Sequence, residues 1–436
     1  MFKSAKTCQR SKLLFFIFFV ATLFLSVPST VLSSSSGAGF ELYGGDLDDE
    51  AAAIVQSSDK GYVIAATTGS FGAGDADFWL IKLDSNGNMQ WNHTYGGVDS
   101  DVASAMIQTS DGGYAIAGNT WSFGAGESDF WLIKVDSSGV MQWNKTYGQS
   151  ASDGAYSLIQ VDDGGYALAG YSTANNQSKD VCFVKADSAG NVQWTQTYGG
   201  SRSDYANSVV QTSDGGYALA ATTRSFSDDS SSDGWLIKTD SDGNMDWNKT
   251  YDGYGGFDGA NALLQTSEQG YVFAGHTGGF MLQDVWVVKT DYSNGSDVWS
   301  VTLDTHEPLE ASCLIQTSDG GYAVAGWMSA FEEIFDSYSV LLKLDLNGNI
   351  QWNSSYTGLG YNGELFVVQS DDGGYALAGT TKSTDEGAHY DVWFARVDPS
   401  GETIPEFSAW LILPLTMAVT LIVAAMKGKK LCINKL

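Results

Sequence analysis

Histidine, cysteine and proline are scarce in this chain of 436 residues, and each scarcity excludes something. The four histidines, His93, His276, His306 and His389, stand far apart with no metal-ligand spacing, so no zinc-type site is read from them. Four cysteines are too few for a disulfide framework. Cys8 and Cys432 belong to the ends, and Cys182 and Cys313 sit in apolar strand patterns, where they read as small buried hydrophobes rather than a bridge. Only five prolines occur, beside 43 % hydrophobic and 13 % aromatic residues, a composition that opposes general disorder. Positive charge is scarce too, with 22 basic residues against 51 acids. Four basic residues precede the first apolar run and four follow the last, so the remaining 14 face all 51 acids, a balance near −37. Such a field repels nucleic acid and anionic lipid and suits solubility, cation binding or high salt. No P-loop, nucleophile elbow or dinucleotide fingerprint is present, and no stretch of the middle sustains a helical period.

What the chain does have is repetition. "QTSDGGYALA" (Gln211 to Ala220) returns in near copies from Gln108, Gln316 and Gln369. Its tyrosines, Tyr62, Tyr114, Tyr166, Tyr217, Tyr271, Tyr322 and Tyr375, are spaced by 52, 52, 51, 54, 51 and 53 residues, which makes seven units. Within a unit, "ASAMIQTS", "YAIAGNTW", "DFWLIKVD" and "VMQWNKTYG" alternate with period two between turn signals. Asp-Gly-Gly between apolar runs predicts a type I′ hairpin, and "DSNGN" at Asp84 to Asn88 predicts a second. Four antiparallel strands in each of seven units predict an all-β, seven-bladed propeller over residues 39–401. A β-solenoid or two smaller domains are the alternatives. The seventh unit stops at "DVWFARVDPSG" without its "QWNxTYG" strand, whereas "GFELYGG" (Gly39 to Gly45) supplies one at the start. An N-terminal strand that completes the last blade closes a ring and protects its edges.

The two ends read differently. Basic residues, an apolar run from Leu13 to Val27 and a small-residue stretch predict a signal peptide over residues 1–34, with an uncleaved N-terminal anchor as the alternative. The apolar run from Ala409 to Met426 is just long enough to span a bilayer as a transmembrane helix. A linker (402–408) precedes it, and a basic tail (427–436) follows, placing that end in the cytoplasm and the repeats outside.

On these motifs two resemblances rest. "KLDSNGNMQWN" (Lys82 to Asn92) looks like the Asp-x-x-Gly-x-x-x-Trp signature of quinoprotein-like (PQQ-type) propeller repeats, and the repeat from Phe40 to Gly401 resembles those of archaeal surface propeller proteins. "IPEFSAW" (Ile404 to Trp410), with Pro405, Glu406 and Phe407 at its centre, resembles the PEF-type sorting signal of archaea. That resemblance implies an archaeosortase-like enzyme that cuts the tail and leaves a lipid anchor. A quinone-dependent dehydrogenase of the resembled type has eight blades and usually a vicinal cysteine pair; this chain shows neither, so no cofactor is predicted.

Candidate sites follow from topology. The "SDGG" and "SNGN" turns share one face, and the loops joining second to third strands share the other with the links between units. The second face carries the varied sequence, where propellers bind ligands. Its aromatics, Phe71, Trp121, Phe123, Phe226, Phe280 and Phe331, suit stacking on sugar or peptide, or else pack between blades. Asp49, Asp101, Asp153, Asp204 and Asp258 recur seven residues before the repeat glutamine; they ring the channel mouth, where they serve as local backbone contacts or as a cation site. Asp240, Asp242 and Asp246 have the spacing of a small Ca²⁺ loop without its closing glutamate. Asn92, Asn144, Asn176, Asn248, Asn294 and Asn353 open Asn-x-Ser/Thr sequons, as glycan acceptors or simply as exposed strand residues. The functional expectation is a cell-surface binding or adhesion module for envelope glycan or protein, anchored in the membrane through its C-terminus. An extracellular enzyme, quinoprotein-like or acting on polysaccharide, is the alternative, and a purely structural coat subunit a third.

Overall fold

The computed structural model describes residues 40–173, 178–227, 231–279, 282–303, 308–328, 338–356, 362–382 and 389–404. The predicted signal run, the sorting motif and the C-terminal apolar run lie outside them. The described residues form 28 strands, numbered here in chain order, and no helix. They make seven four-stranded antiparallel sheets. Blade 1 is β2 (Asp49–Gln56), β3 (Tyr62–Thr68), β4 (Asp77–Leu83) and β5 (Met89–Tyr95), and the pattern repeats through blade 6. Blade 7 consists of β26 (Asn362–Gln369), β27 (Tyr375–Lys382) and β28 (Tyr390–Val397), with β1 (Phe40–Tyr43) as its outer strand, paired antiparallel so that Tyr43 faces Val392. A strand from the start of the chain thus finishes the sheet at its end. That blade thereby has four strands, like the other six.

Burial grades outward along each blade. β3 and β4 are buried on both faces because blades stack face to face, whereas β5 alternates exposed and half-buried residues. The core is accordingly seven clusters, one per junction. One joins Val63, Ala65, Phe78 and Leu80 of blade 1 to Ile116, Trp131 and Ile133 of blade 2. Another joins Ala376, Ala378, Val392 and Phe394 of blade 7 to Tyr62, Ile64 and Ile81 of blade 1. The last junction is packed like the others, and the ring is continuous.

The repeated decapeptide is used letter by letter. In blade 2, Thr109 N–H donates to Gly113 O and Gly112 N–H to Thr109 O, and Gly112 alone has a positive φ, of 84°. A type I′ turn needs two such residues, so that expectation is corrected: the loop has one more residue, with a single left-handed position at its end. The second glycine serves a different purpose. A Cβ on Gly113 would lie 2.3 Å from Val135 O and 2.6 Å from Lys134 Nζ, so the chain must pass too close for any side chain. Asp111 accepts from Gly113 N–H and pairs at 2.9 Å with Lys134 Nζ, which is buried among apolar neighbours. The repeat glutamine ties blades together: Gln160 accepts from Ser110 N–H of the preceding blade at 2.8 Å.

The outer hairpins make a second latch. Tyr95, Tyr147, Tyr198, Tyr251 and Tyr356 each donate to the carbonyl of the turn glycine in the following blade: Gly139, Gly190, Gly243, Gly295 and Gly401. Tyr43 does the same to Gly87, so β1 supplies both the missing strand and the missing latch. Leu303 occupies the tyrosine position of blade 5, where no hydroxyl can reach Gly348.

Candidate functional site in the channel mouth

The loops from second to third strands lie beside the links between blades, as topology predicts. Trp121 N–H donates to Ser100 O, and Asp101 N–H to Ala76 O. On this face Phe71 packs against Trp79 at 5.2 Å between ring centres, Phe123 against Trp131 at 5.3 Å and Phe226 against Trp235 at 5.0 Å. These rings lie on their own blade's tryptophan and are still about half exposed. Trp121 is similarly exposed, and Phe280 and Phe331 lie outside the described residues.

The recurring aspartates open the inner strands but point into the junctions between blades. Asp49 accepts from Gly45 N–H at 2.8 Å, Asp101 from Gly97 at 2.7 Å, Asp153 from Gln149 at 2.7 Å, Asp204 from Gly200 at 3.0 Å and Asp258 from Gly253 at 3.0 Å. All five are buried, each in a different junction. Asp240 caps its own hairpin, accepting from Asp242 N–H, Asn244 N–H and Asn244 Nδ2, while Asp246 turns to Lys238. Asp84 and Asp345 cap their hairpins in the same way without further acids. The three acids therefore do not close on a common point.

The sequon asparagines Asn92, Asn144 and Asn248 are exposed on the outer strands and accept from the indole N–H of Trp79, Trp131 and Trp235. Asn353 is exposed in a blade that carries Val340 instead of that tryptophan, and Asn294 is exposed in a hairpin. Asn176 lies outside the described residues.

A cavity of about 900 Å³ opens where the inner strands begin. Strand parity explains its lining. The first inner-strand residue, such as Asp49, turns into the junction, so the next one, Glu50, turns to the channel. A bulge after the third position, between Ala51 and Ala53 in blade 1 and at the same place in the next five blades, adds a second channel-facing residue per strand. Side chains from neighbouring blades cover the amides this leaves: Ala51 N–H donates to Thr380 Oγ1 and Ala103 N–H to Thr67 Oγ1, both at 3.0 Å.

Around this mouth the seven-fold regularity fails. Three adjacent blades present carboxylates, Glu310 from blade 6, Glu364 from blade 7 and Glu50 from blade 1. Opposite, Tyr156 and Tyr205 cross edge to face at 6.3 Å, Tyr156 rests on Tyr171 at 5.5 Å, and Lys179 Nζ sits 3.7 Å above the Tyr171 ring. Asn207 and Asn261 stand between these walls, donating to Ala260 O and Ala311 O of the next blades. His276 completes the ring, its Nδ1 3.8 Å from Glu310 Oε2.

Electrostatics follow from this crowding. Depth in the molecule, reinforced by Glu310 and Glu50, raises the Glu364 carboxyl to about 7 although it still meets channel water. Glu50 is raised by desolvation and by Asp48. His276 is held below its ordinary value by burial, against the pull of Glu310 and Asp258, and is neutral near pH 7. Glu310 stands out in the sequence only as the acid beside Leu309 in the sixth unit, and Glu50, Glu364 and Tyr156 were not singled out by sequence reasoning. Their only signal was negative, in that they occupy inner-strand positions where the repeats disagree.

No protein-family model and no curated protein sequence matches this chain. Solved structures do. A protein of unknown function from Dyadobacter fermentans has a TM-score of 0.49 at 10 % identity, covering 84 % of this chain and 100 % of its own. The WD40 domain of Pan2 from Neurospora crassa has 0.48 at 12 %, covering 84 % and 97 %. NanB sialidase from Streptococcus pneumoniae has 0.45 at 10 %, covering 86 % and 72 %. The likeness extends to the fold alone. The residues present do not fit a quinone site of the dehydrogenase type either: the ring has seven blades, and Cys182 and Cys313 are free thiols on blades 3 and 6.

Proposed function

We propose that this chain is an exported, membrane- or lipid-anchored cell-surface propeller that binds an envelope glycan in the channel mouth on its variable-loop face. The observation that carries the reading is the two-sided cavity, with carboxylates on blades 6, 7 and 1 and aromatic and amide groups on blades 3 to 5. Carboxylate and amide groups hydrogen-bond sugar hydroxyls, and aromatic faces stack on their C–H surfaces. The loop aromatics Phe71, Phe123 and Phe226 stand on the same face as a wider contact rim. Export and anchoring rest on the order of charge and hydropathy at the two ends and on the sorting-type motif.

A glycan array on the full chain, with and without Ca²⁺, tests the binding reading: saccharide binding supports it, and turnover of an envelope polysaccharide without retention contradicts it. The enzymatic reading draws on one observation, a Glu364 carboxyl poised near 7 beside Glu310, an arrangement suited to proton transfer. Mass spectrometry of the C-terminus tests the anchor, since an intact Leu436 in the native protein would rule out sorting-type cleavage.

A further inference from the structure

The junctions between blades contain paired carboxylates that the hydrogen-bond network leaves incomplete. Asp77 opens the third strand of blade 1, and Asp101 opens the inner strand of blade 2. Both are buried, at 1 % and 0 % exposure, and Oδ1 of each has no hydrogen-bond partner. Asp77 Oδ2 accepts from Ala73 N–H and Asp101 Oδ2 from Gly97 N–H. A methyl group placed on Gly96 would sit 1.5 Å from Asp77 Oδ1 and 2.9 Å from Asp101 Oδ2, so the two carboxylates converge on the space that this glycine leaves open. Asp129 and Asp153 repeat the arrangement at the next junction, 1.8 and 2.8 Å from the corresponding point on Gly148, each again with Oδ1 unpartnered. No lysine or arginine pairs with any of these four aspartates among the described residues.

Two buried carboxylates this close require a proton or a cation between them. One Ca²⁺ bound at about 2.3–2.6 Å to each of two oxygens spans a gap of this size. We propose that the junctions carrying both acids, Asp77 with Asp101 and Asp129 with Asp153 foremost, each hold a hard, oxygen-seeking cation of the Ca²⁺ class that locks neighbouring blades together. The junction between blades 4 and 5 adds a third acid: Asp233, Asp252 and Asp258 place carboxylate oxygens within 4.8 Å of one another. At the junction between blades 6 and 7 the two positions are Tyr338 and Asn362, and between blades 5 and 6 Asp284 stands with Leu309, so neither junction carries the acid pair.

The test uses the full chain, purified in detergent, stripped with chelator and dialysed against Ca²⁺. Bound calcium measured by mass spectrometry of the metal, with a saturable rise in Tm of more than about 3 °C, is expected. The double variant D101N/D153N should lose about two ions per chain and most of the rise. Retention of no calcium, with the same Tm in chelator and in Ca²⁺, would overturn the proposal and leave shared protons as the occupant of these junctions. Undiminished calcium in D101N/D153N would overturn the location; if that variant fails to fold, D77N/D129N gives the same reading from the opposite side of each pair.

Discussion

A lysine inside a strand buried on both faces is the residue-scale device on which each blade depends. Lys82, Lys134, Lys185, Lys238 and Lys343 reach the Asp of their own first hairpin at 2.8 to 2.9 Å, and Arg396 takes the same part in blade 7. The ammonium is buried while the carboxylate is about half exposed, so the two partners are not equivalent. Asp111→Ala strands Lys134 without a counter-charge and should cost about 2–4 kcal/mol, whereas Lys134→Met leaves a hydrated carboxylate and should cost only about 1 kcal/mol, both read from urea unfolding. Equal losses would show that the pair acts merely as a surface bridge. Burial works against the charged form of Asp59 and Asp111, but hydrogen bonds from lysine, hydroxyl and backbone outweigh it and hold both at about 2. A depressed acid stabilises the fold above its unfolded value near 4 and loses that contribution as pH falls through about 2, so unfolding should steepen across that window. Glu364 has the opposite sign. Its raised value costs stability as pH rises from about 4.5 to 7, so E364Q should match the native chain at pH 4.5 and exceed its Tm at pH 8. Gln269, at φ 70°, holds the position that five other blades give to glycine, and Gln269→Gly should stabilise by about 0.5–1 kcal/mol in the same unfolding assay.

At the scale of the element, strand parity decided what the sequence disclosed. Hairpins, strand order and blade count were legible because every unit repeats them, and seven copies of one pattern average out local accidents. The aspartate that opens each inner strand was equally visible, yet its destination was not. One residue separates the junction from the channel, and the pleat assigns Asp49 to the first and Glu50 to the second. The lysine of "LIK" read as part of a strand, with no sign that its partner was the turn aspartate some 23 residues earlier. The hairpin latch is the element-scale interaction most open to measurement. Tyr147→Phe removes one buried hydroxyl donor to Gly190 O at 2.8 Å and should cost about 1 kcal/mol without altering the blade, as judged by unchanged circular dichroism. The same change at Leu303, a natural gap in the series, has nothing to remove.

For the whole molecule, symmetry builds the scaffold and its failure marks the site. Comparing the units with one another brought forward the residues that agree, and those residues hold the ring together. Glu50, Glu364, Tyr156 and Tyr205 were passed over for the same reason, since each departs from the pattern of the other units. A closed ring has one axis, and a ligand bound on it meets all seven blades at once; a wall of three carboxylates facing a wall of aromatics gives that ligand one orientation. Direct titration of the glycan selected by the array, by calorimetry on the native chain and on E364A, Y156A and F123S, tests this most directly. Binding in the channel mouth predicts a loss of at least tenfold in affinity for E364A and for Y156A, and a change of less than about threefold for F123S, which lies on the rim. Full affinity in both channel variants together with a large loss in F123S would contradict it and move the ligand out to the loops.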